Sequence, residues 1–310
     1  MKKMFGPICL GLGAFLLMVG VLTVTWVPGK VEKLPLDVST TTNLDGTVKK
    51  LDAATGDLVE NPAKVQSITK VDSDVSTDEV AAWTNTTCVV IDTGDAPDCV
   101  DGSDPRLVSA SEDVFATDRV TGEAVPDFDA LPADAVPHEG LVNKWPFNAE
   151  KKDYTYWDST LGAAVPAVYD REETLLGVDV YVYKVDIENA PASIAAGTLG
   201  TYTNHTEIWV EPTTGAIQQQ VQDQQRYLKD GTPVLDLKIS FTDEQLETTA
   251  DEAKSNVSLI KLLTVWAPIV GFVLGGILVA VGIVLSRSSG GNGRNGESGG
   301  QHKPVPAAVG

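Results

Sequence analysis

Five aspartates recur at period three, Asp92, Asp95, Asp98, Asp101 and Asp104, in a stretch punctuated by Gly and Pro. Clustered carboxylates on flexible turns are what a calcium ion takes as oxygen ligands, so residues 92–104 are a candidate calcium loop. The EF-hand order of acids at alternate positions with a closing Glu is absent, and a solvated acidic loop explains the same residues. Cys88 and Cys99 stand at this loop. In an oxidising compartment they read as a disulfide closing a short loop, worth about 3 kcal/mol on the chain-entropy estimate. Zinc would want closer cysteines and further Cys or His ligands nearby, which the sequence lacks, so no metal and no cofactor are assigned.

Other chemistry has less to work with. There is no Gly-x-Ser-x-Gly elbow for a serine nucleophile, and only His138 and His205 lie between the apolar ends of the chain. His138 falls in Val136-Pro137-His138-Glu139-Gly140, where the flanking Pro and Gly imply a loop and an ordinary polar role. With 42 acids in the central region, any carboxylate pair suited to glycoside hydrolysis is uninformative by itself, so an envelope glycan hydrolase stays open only as an alternative. The run from His138 to Asp158 is richer. It gathers Trp145, Phe147, Tyr154, Tyr156 and Trp157 with three lysines. Such a mixture can stack on sugar rings or line an amphipathic-ligand groove, and it can equally be the core of a β-rich domain.

The elements that must position these residues are bounded by two uncharged runs. Met4–Val27 and Leu262–Ser286 carry no charged side chain. As helices they reach about 36 Å, enough for the ~30 Å hydrocarbon core of a bilayer. The run that opens the chain is too long for a secretory h-region and ends at Trp26-Val27-Pro28-Gly29 without a small-x-small site, so it reads as a retained span rather than a cleaved signal. Lys2 and Lys3 precede it, and Arg287, Arg294 and Lys303 follow the other span against the single acid Glu297. Positive-inside logic therefore places both termini in the cytoplasm and residues 28–261 outside the plasma membrane. That central region holds 18 basic and 42 acidic residues, a net charge of −24, which repels phosphate and argues against nucleic acid as a partner.

Within the central region the pattern is strand-like. Val178–Ile187, Glu207–Val210 and Asp236–Phe241 alternate apolar and polar residues. Three turns share an acid followed by two residues and Thr-Gly: Asp52 to Gly56, Asp118 to Gly122 and Glu211 to Gly215. A type I turn with a G1 bulge needs a positive φ at the Gly, and the acid can cap the turn's N–H groups. Thr242 to Lys254 opens with a capping sequence and reads as a helix leading to the second span. Asn85, Asn204 and Asn256 fit the glycosylation acceptor pattern. The Gly/Ser/Asn/Pro-rich residues 287–310 cannot build a core and are expected to be a disordered cytoplasmic tail. The expected fold is two transmembrane helices (4–27 and 262–286) flanking a β-rich (α+β) extracytoplasmic domain with antiparallel sheets (28–261), closed or sandwiched around an apolar interior. Residues 1–3 form the cytoplasmic N-terminus.

The His138–Asp158 block, with Asp118-Arg-Val-Thr-Gly-Glu-Ala-Val before it, Glu173-Thr-Leu-Leu-Gly-Val-Asp-Val-Tyr after it and Trp209-Val-Glu-Pro-Thr-Thr-Gly further on, resembles an actinobacterial two-pass envelope family. That family is catalogued as a domain of unknown function or as PorA-like. The resemblance runs from the first span to the second and supplies no catalytic residues. It implies an envelope role linked to maturation of mannose-rich lipoglycans, in which the protein assists assembly by binding a lipid-linked glycan or an envelope biosynthetic membrane enzyme. The expected function is therefore non-enzymatic, with the lipid bilayer as one partner. A porin or channel component is the alternative that the family label itself implies.

Overall fold

The computed structural model describes residues 2–52, 54–195 and 197–290; most of the expected tail, from residue 291 onward, lies outside the described residues. The chain divides into two compact units, one made by its helical ends and the other spanning Gly29–Ile260.

The helical unit pairs α1 (Lys2–Thr25) with α4 (Ala267–Gly290), and a single helical turn, α2 (Pro28–Val31), follows α1 along the chain. Glycine is the reason they can approach closely. A Cβ on Gly13 would lie 2.8 Å from Val279 and 2.9 Å from the Gly275 carbonyl oxygen, and one on Gly282 would lie 3.0 Å from the Gly6 oxygen. Gly20 meets Gly271 and Phe272. Partner numbers fall as α1 advances, so the helices run antiparallel. Gly6, Gly13 and Gly20 recur every seven residues, which keeps one narrow stripe of α1 against its neighbour, the small-residue seam by which apolar helices associate without a hydrophobic driving force. The remaining faces expose Phe5, Leu12, Phe15, Met18, Phe272 and Ile277. Both helices are long and apolar enough to cross a membrane by length and composition.

The second unit is one antiparallel sheet of ten strands: β1 (Ser39–Leu51), β2 (Leu58–Asp72), β3 (Val80–Ile91), β4 (Leu107–Asp118), β5 (Tyr154–Asp158), β6 (Ala163–Leu175), β7 (Val178–Ala195), β8 (Thr198–Glu211), β9 (Ala216–Leu228) and β10 (Pro233–Phe241). Their spatial order is β4-β3-β2-β1-β10-β9-β8-β7-β6-β5. The expected antiparallel β-rich class is present, as a single curled half-barrel sheet instead of a sandwich. The helix expected at Thr242–Lys254 is α3 (Asp243–Lys261). Thr242 caps it by accepting from the Gln245 N–H at 3.1 Å, while the Gln245 side chain accepts from the Asn43 N–H. Ala250 and Ala253 let α3 lie close on Val178 and Val180 of β7.

Strand alternation separates two faces. One buries Leu44, Val48, Val65, Val89, Leu237, Ile239 and Phe241 in one cluster and Leu141, Trp145, Tyr183, Val185, Tyr202 and Ile208 in another. This interior departs from the expected apolar filling, because a polar network runs through it. The Asp158 carboxylate accepts from the Tyr202 hydroxyl at 2.9 Å and the Asn204 amide at 3.3 Å; Gln224 donates to Tyr202 and Arg226 to Gln224. Its members come from β5, β8 and β9, so the network is satisfied as a unit. Asn204 is thereby buried and is unsuited to glycosylation in the folded chain. Where it is free of α3, the other face is charged. Asp186, His205, Asp223 and Lys238 form a row across β7 to β10, and Arg171 binds Asp170, Glu173 and Glu207 at 2.6, 3.2 and 3.0 Å.

The two edge strands, β4 and β5, do not pair with each other. Residues 119–153 run between them, joined by single bridges Thr117–Ala124, Glu123–Leu141 and Leu141–Tyr156. His138 completes the link. Its ring lies between Phe115 and Trp157, at 5.2 and 4.3 Å between centroids, with Nε2 3.0 Å from the Asp113 carboxylate and Nδ1 2.7 Å from the Val136 carbonyl.

Two outcomes follow from this packing. Gly13→Leu should overfill the helix seam at a cost of about 1–3 kcal/mol, read in detergent as faster amide exchange in α1 and α4 with unchanged protection in the sheet. His138→Ala should lower the urea unfolding free energy by roughly 2–4 kcal/mol, because it removes the buried ring stack and leaves the part-buried Asp113 carboxylate without its ring partner. Wild-type stability in that variant would refute the linking role of the ring.

Candidate functional site

The sequence placed its candidate ligand surface on the aromatic block, and the structure divides that block. Trp145 is wholly buried and Trp157 nearly so. Trp145 stacks on Tyr156 at 5.4 Å and Tyr183 at 5.0 Å, and burial, reinforced by Asp158, pushes the Tyr156 phenol up to about 12. Those three side chains serve the interior. Phe147 and Tyr154 instead line a surface pocket of about 320 Å³ with Thr121, Glu123, Glu150 and Lys152.

The backbone of residues 145–149 is held from two sides by two of the acid-Thr-Gly turns. In one, the Asp118 carboxylate accepts from the Val120 and Thr121 N–H groups at 2.9 and 2.7 Å; in the other, Glu211 accepts from those of Thr213 and Thr214 at 2.8 Å each. Gly122 and Gly215 have φ of 74° and 73°, the left-handed conformation the turn requires. The Asp52 turn repeats the pattern, with Gly56 at φ 78°. What spacing did not reveal is that these glycines also make room. A Cβ on Gly215 would lie 2.0 Å from the Trp145 carbonyl oxygen. The Trp145 N–H donates to the Gly215 carbonyl at 2.8 Å and the Phe147 N–H to that of Val120 at 3.2 Å, so the segment is bound by main-chain hydrogen bonds to both turns.

Lys144 is the residue that sequence reasoning missed. It is only 7% exposed, its Nζ lies 3.9 Å above the Phe147 ring centre, and that amine has no hydrogen-bond partner among the described residues. Burial holds the ammonium well below its ordinary value, to about 7, against the opposing pull of Asp118. Its neighbours Lys151 and Lys152 are exposed and paired with Glu172 and Glu150 at 2.5 Å.

The carboxylates of the acidic loop are engaged by neighbouring donors and cations. Asp92 accepts from the Gly94 N–H, Asp101 from that of Ser103, Asp98 pairs with Lys64 at 2.6 Å and Asp104 with Arg106 at 2.8 Å. Among the described residues no group of three His, Cys, Asp or Glu side chains converges as a metal site would require. Cys88 and Cys99 are joined by a disulfide. His205 is half-exposed between Asp186 at 2.8 Å and Glu188 at 3.4 Å, and the hydrogen bond it donates to the Asp186 carboxylate raises its pKa. His138 has both ring nitrogens engaged in the structural link described above.

A profile of the family described as Porin PorA matches residues 5–284, which takes in both apolar helices and the whole sheet. The chain belongs to the porin PorA family. No curated protein matches it significantly. Among solved structures, a triple mutant and a double mutant of the Rhodopseudomonas blastica porin each align at 10% identity over 66% of this chain and 99% of theirs, with TM-scores of 0.21. An N-terminal dehydratase from the difficidin assembly line aligns at 8% identity over 68% of this chain and 82% of its own, with a TM-score of 0.12. At such scores these likenesses carry no argument. Membership of the porin PorA family rests on the profile alone.

The site yields a pH-dependent outcome. Because the folded state lowers the Lys144 pKa from 10.5 to about 7, the unfolded chain binds more protons between those values and stability rises with pH across that window. Below pH 7 the burial penalty is present in full. Lys144→Met should therefore stabilise the fold by on the order of a few kcal/mol at pH 6 and by much less at pH 10. Chemical unfolding at the two pH values checks this; an equal change at both would show that the amine is not desolvated.

Proposed function

We propose that this member of the porin PorA family is an envelope protein held in a lipid bilayer by α1 and α4, and that it takes part in solute passage as a channel component. The observation that carries this reading is the family match across almost the whole chain. The topology adopted is the one charge bias supports: spans at 4–27 and 262–286, residues 28–261 outside the plasma membrane, and residues 1–3 and 287–310 in the cytoplasm. The sheet is not taken as the bilayer-crossing wall. A transmembrane barrel turns an apolar band toward lipid, whereas the face of this sheet opposite its core carries ion rows such as Asp186–His205–Asp223–Lys238. Conduction then belongs to an assembly of helix pairs, and the net acidic charge of the outer unit raises the local concentration of cations.

The reading placed first on sequence grounds, a non-enzymatic assistant of lipoglycan assembly in an actinobacterial envelope, becomes the second here. One feature favours it. Ser67, Thr69, Asn85 and Thr87 form a half-buried, mutually hydrogen-bonded patch of hydroxyls and an amide on the core face of β2 and β3, chemistry suited to the hydroxyls of a lipid-linked glycan. Its partner would be that glycan or an envelope biosynthetic membrane enzyme.

Planar bilayers doped with purified full-length protein discriminate the two. Stepwise, cation-selective conductance is expected. A silent bilayer, with the protein demonstrably inserted, would overturn the channel reading and leave the glycan reading to be tested by lipoglycan profiles of a deletion strain.

A further inference from the structure

We propose that Lys144 is a nucleophilic amine that takes small aldehydes entering the Phe147–Tyr154 pocket, with the Phe147 ring as the gate between pocket and amine. Three observations converge. The Lys144 side chain is more than nine-tenths buried, and its Nζ has no hydrogen-bond partner among the described residues. That nitrogen lies directly over the Phe147 ring. The same ring forms part of the wall of the roughly 320 Å³ pocket, so it touches both the amine and the pocket. A buried, unpaired ammonium is costly, and losing the proton relieves the cost. The neutral amine that results is the reactive form, the way desolvation activates lysines for addition to carbonyls.

The pocket also selects the reactant. Phe147 and Tyr154 give the pocket aromatic walls, and because Lys152 is paired with Glu150 at 2.5 Å, Glu123 is left as the lining charge without an ion pair among the described residues, so an uncharged carbonyl compound is admitted more readily than an anion. In the reaction the Nζ lone pair adds to the aldehyde carbon to give a carbinolamine. Its oxygen then leaves as water together with both amine hydrogens, and a C=N bond to Nζ remains. No oxidant or reductant is required. The exposed Lys151 and Lys152 serve as internal references, since their ion pairs with Glu172 and Glu150 keep them protonated.

The test treats full-length protein in detergent at pH 7 with benzaldehyde, traps the imine with cyanoborohydride, and maps alkylated lysines by mass spectrometry. Lys144 is expected to be labelled at least about tenfold more than Lys151 or Lys152, since its neutral fraction at this pH is far larger. The excess should shrink as pH rises toward 10 and the reference amines deprotonate. Phe147→Ala, with its fold checked by circular dichroism, should accelerate labelling of Lys144 several-fold, and Lys144→Arg should abolish the dominant product. Labelling that appears only in Phe147→Ala still supports the amine and describes a tightly closed gate. Labelling of Lys144 no faster than the references in both proteins overturns the proposal, and equal rates in both overturn the gate.

Discussion

An antiparallel sheet of ten strands has two edges, and how those edges are managed governs the rest of the β unit. An open edge exposes a row of unpaired N–H and C=O groups that invites association with other chains. Here the end strands β4 and β5 form no ladder with each other, and residues 119–153 bridge them. The bridge is thin in main-chain terms, single contacts instead of ladders, so side chains carry it. Phe115 from one edge and Trp157 from the other grip the His138 ring, and Asp113 fixes that ring's orientation. The Trp145 segment is then seated between two turns whose glycines leave no room for a side chain.

Seating that segment has an electrostatic consequence. With Trp145 directed into the Tyr156–Tyr183 cluster and Phe147 at the surface, Lys144 is left below the Phe147 ring with no acceptor in reach. The cation–π contact and the Asp118 charge offset only part of the desolvation. A lysine whose proton is held this weakly is either tolerated as a by-product of packing or used for the reactivity it confers, and its position behind a pocket wall favours use.

The two units of this porin-family chain differ in surface chemistry. Alternation fixes which side chains share a face, and on this sheet the main apolar set is turned inward, while the opposite face is apolar under α3 and carries cross-strand ion rows where α3 does not cover it. α1 and α4 have apolar exposed surfaces and approach each other through their glycines. The division of labour between units is thus written in surface chemistry.

Much of this was legible in the residues themselves. Uninterrupted apolar runs force long helices, because their length and lack of charge leave no other way to satisfy the backbone in an apolar setting. Each acid-Thr-Gly turn is closed by atoms within five residues, so Asp52, Asp118 and Glu211 act as their spacing implies, and the glycine period of seven in α1 was there to be read. Cys88 and Cys99 likewise needed only proximity along the chain. What the sequence left open depends on contacts between distant segments. The same five aromatics fit a core or a surface until tertiary packing sent Trp145, Tyr156 and Trp157 inward and left Phe147 and Tyr154 on a pocket. Asp158, Tyr202, Asn204 and Gln224 look like unrelated polar residues until the register of β8 and β9 brings them together. Lys144 carries no local signal at all, since burial is a property of everything packed around a side chain and of nothing in its immediate neighbours.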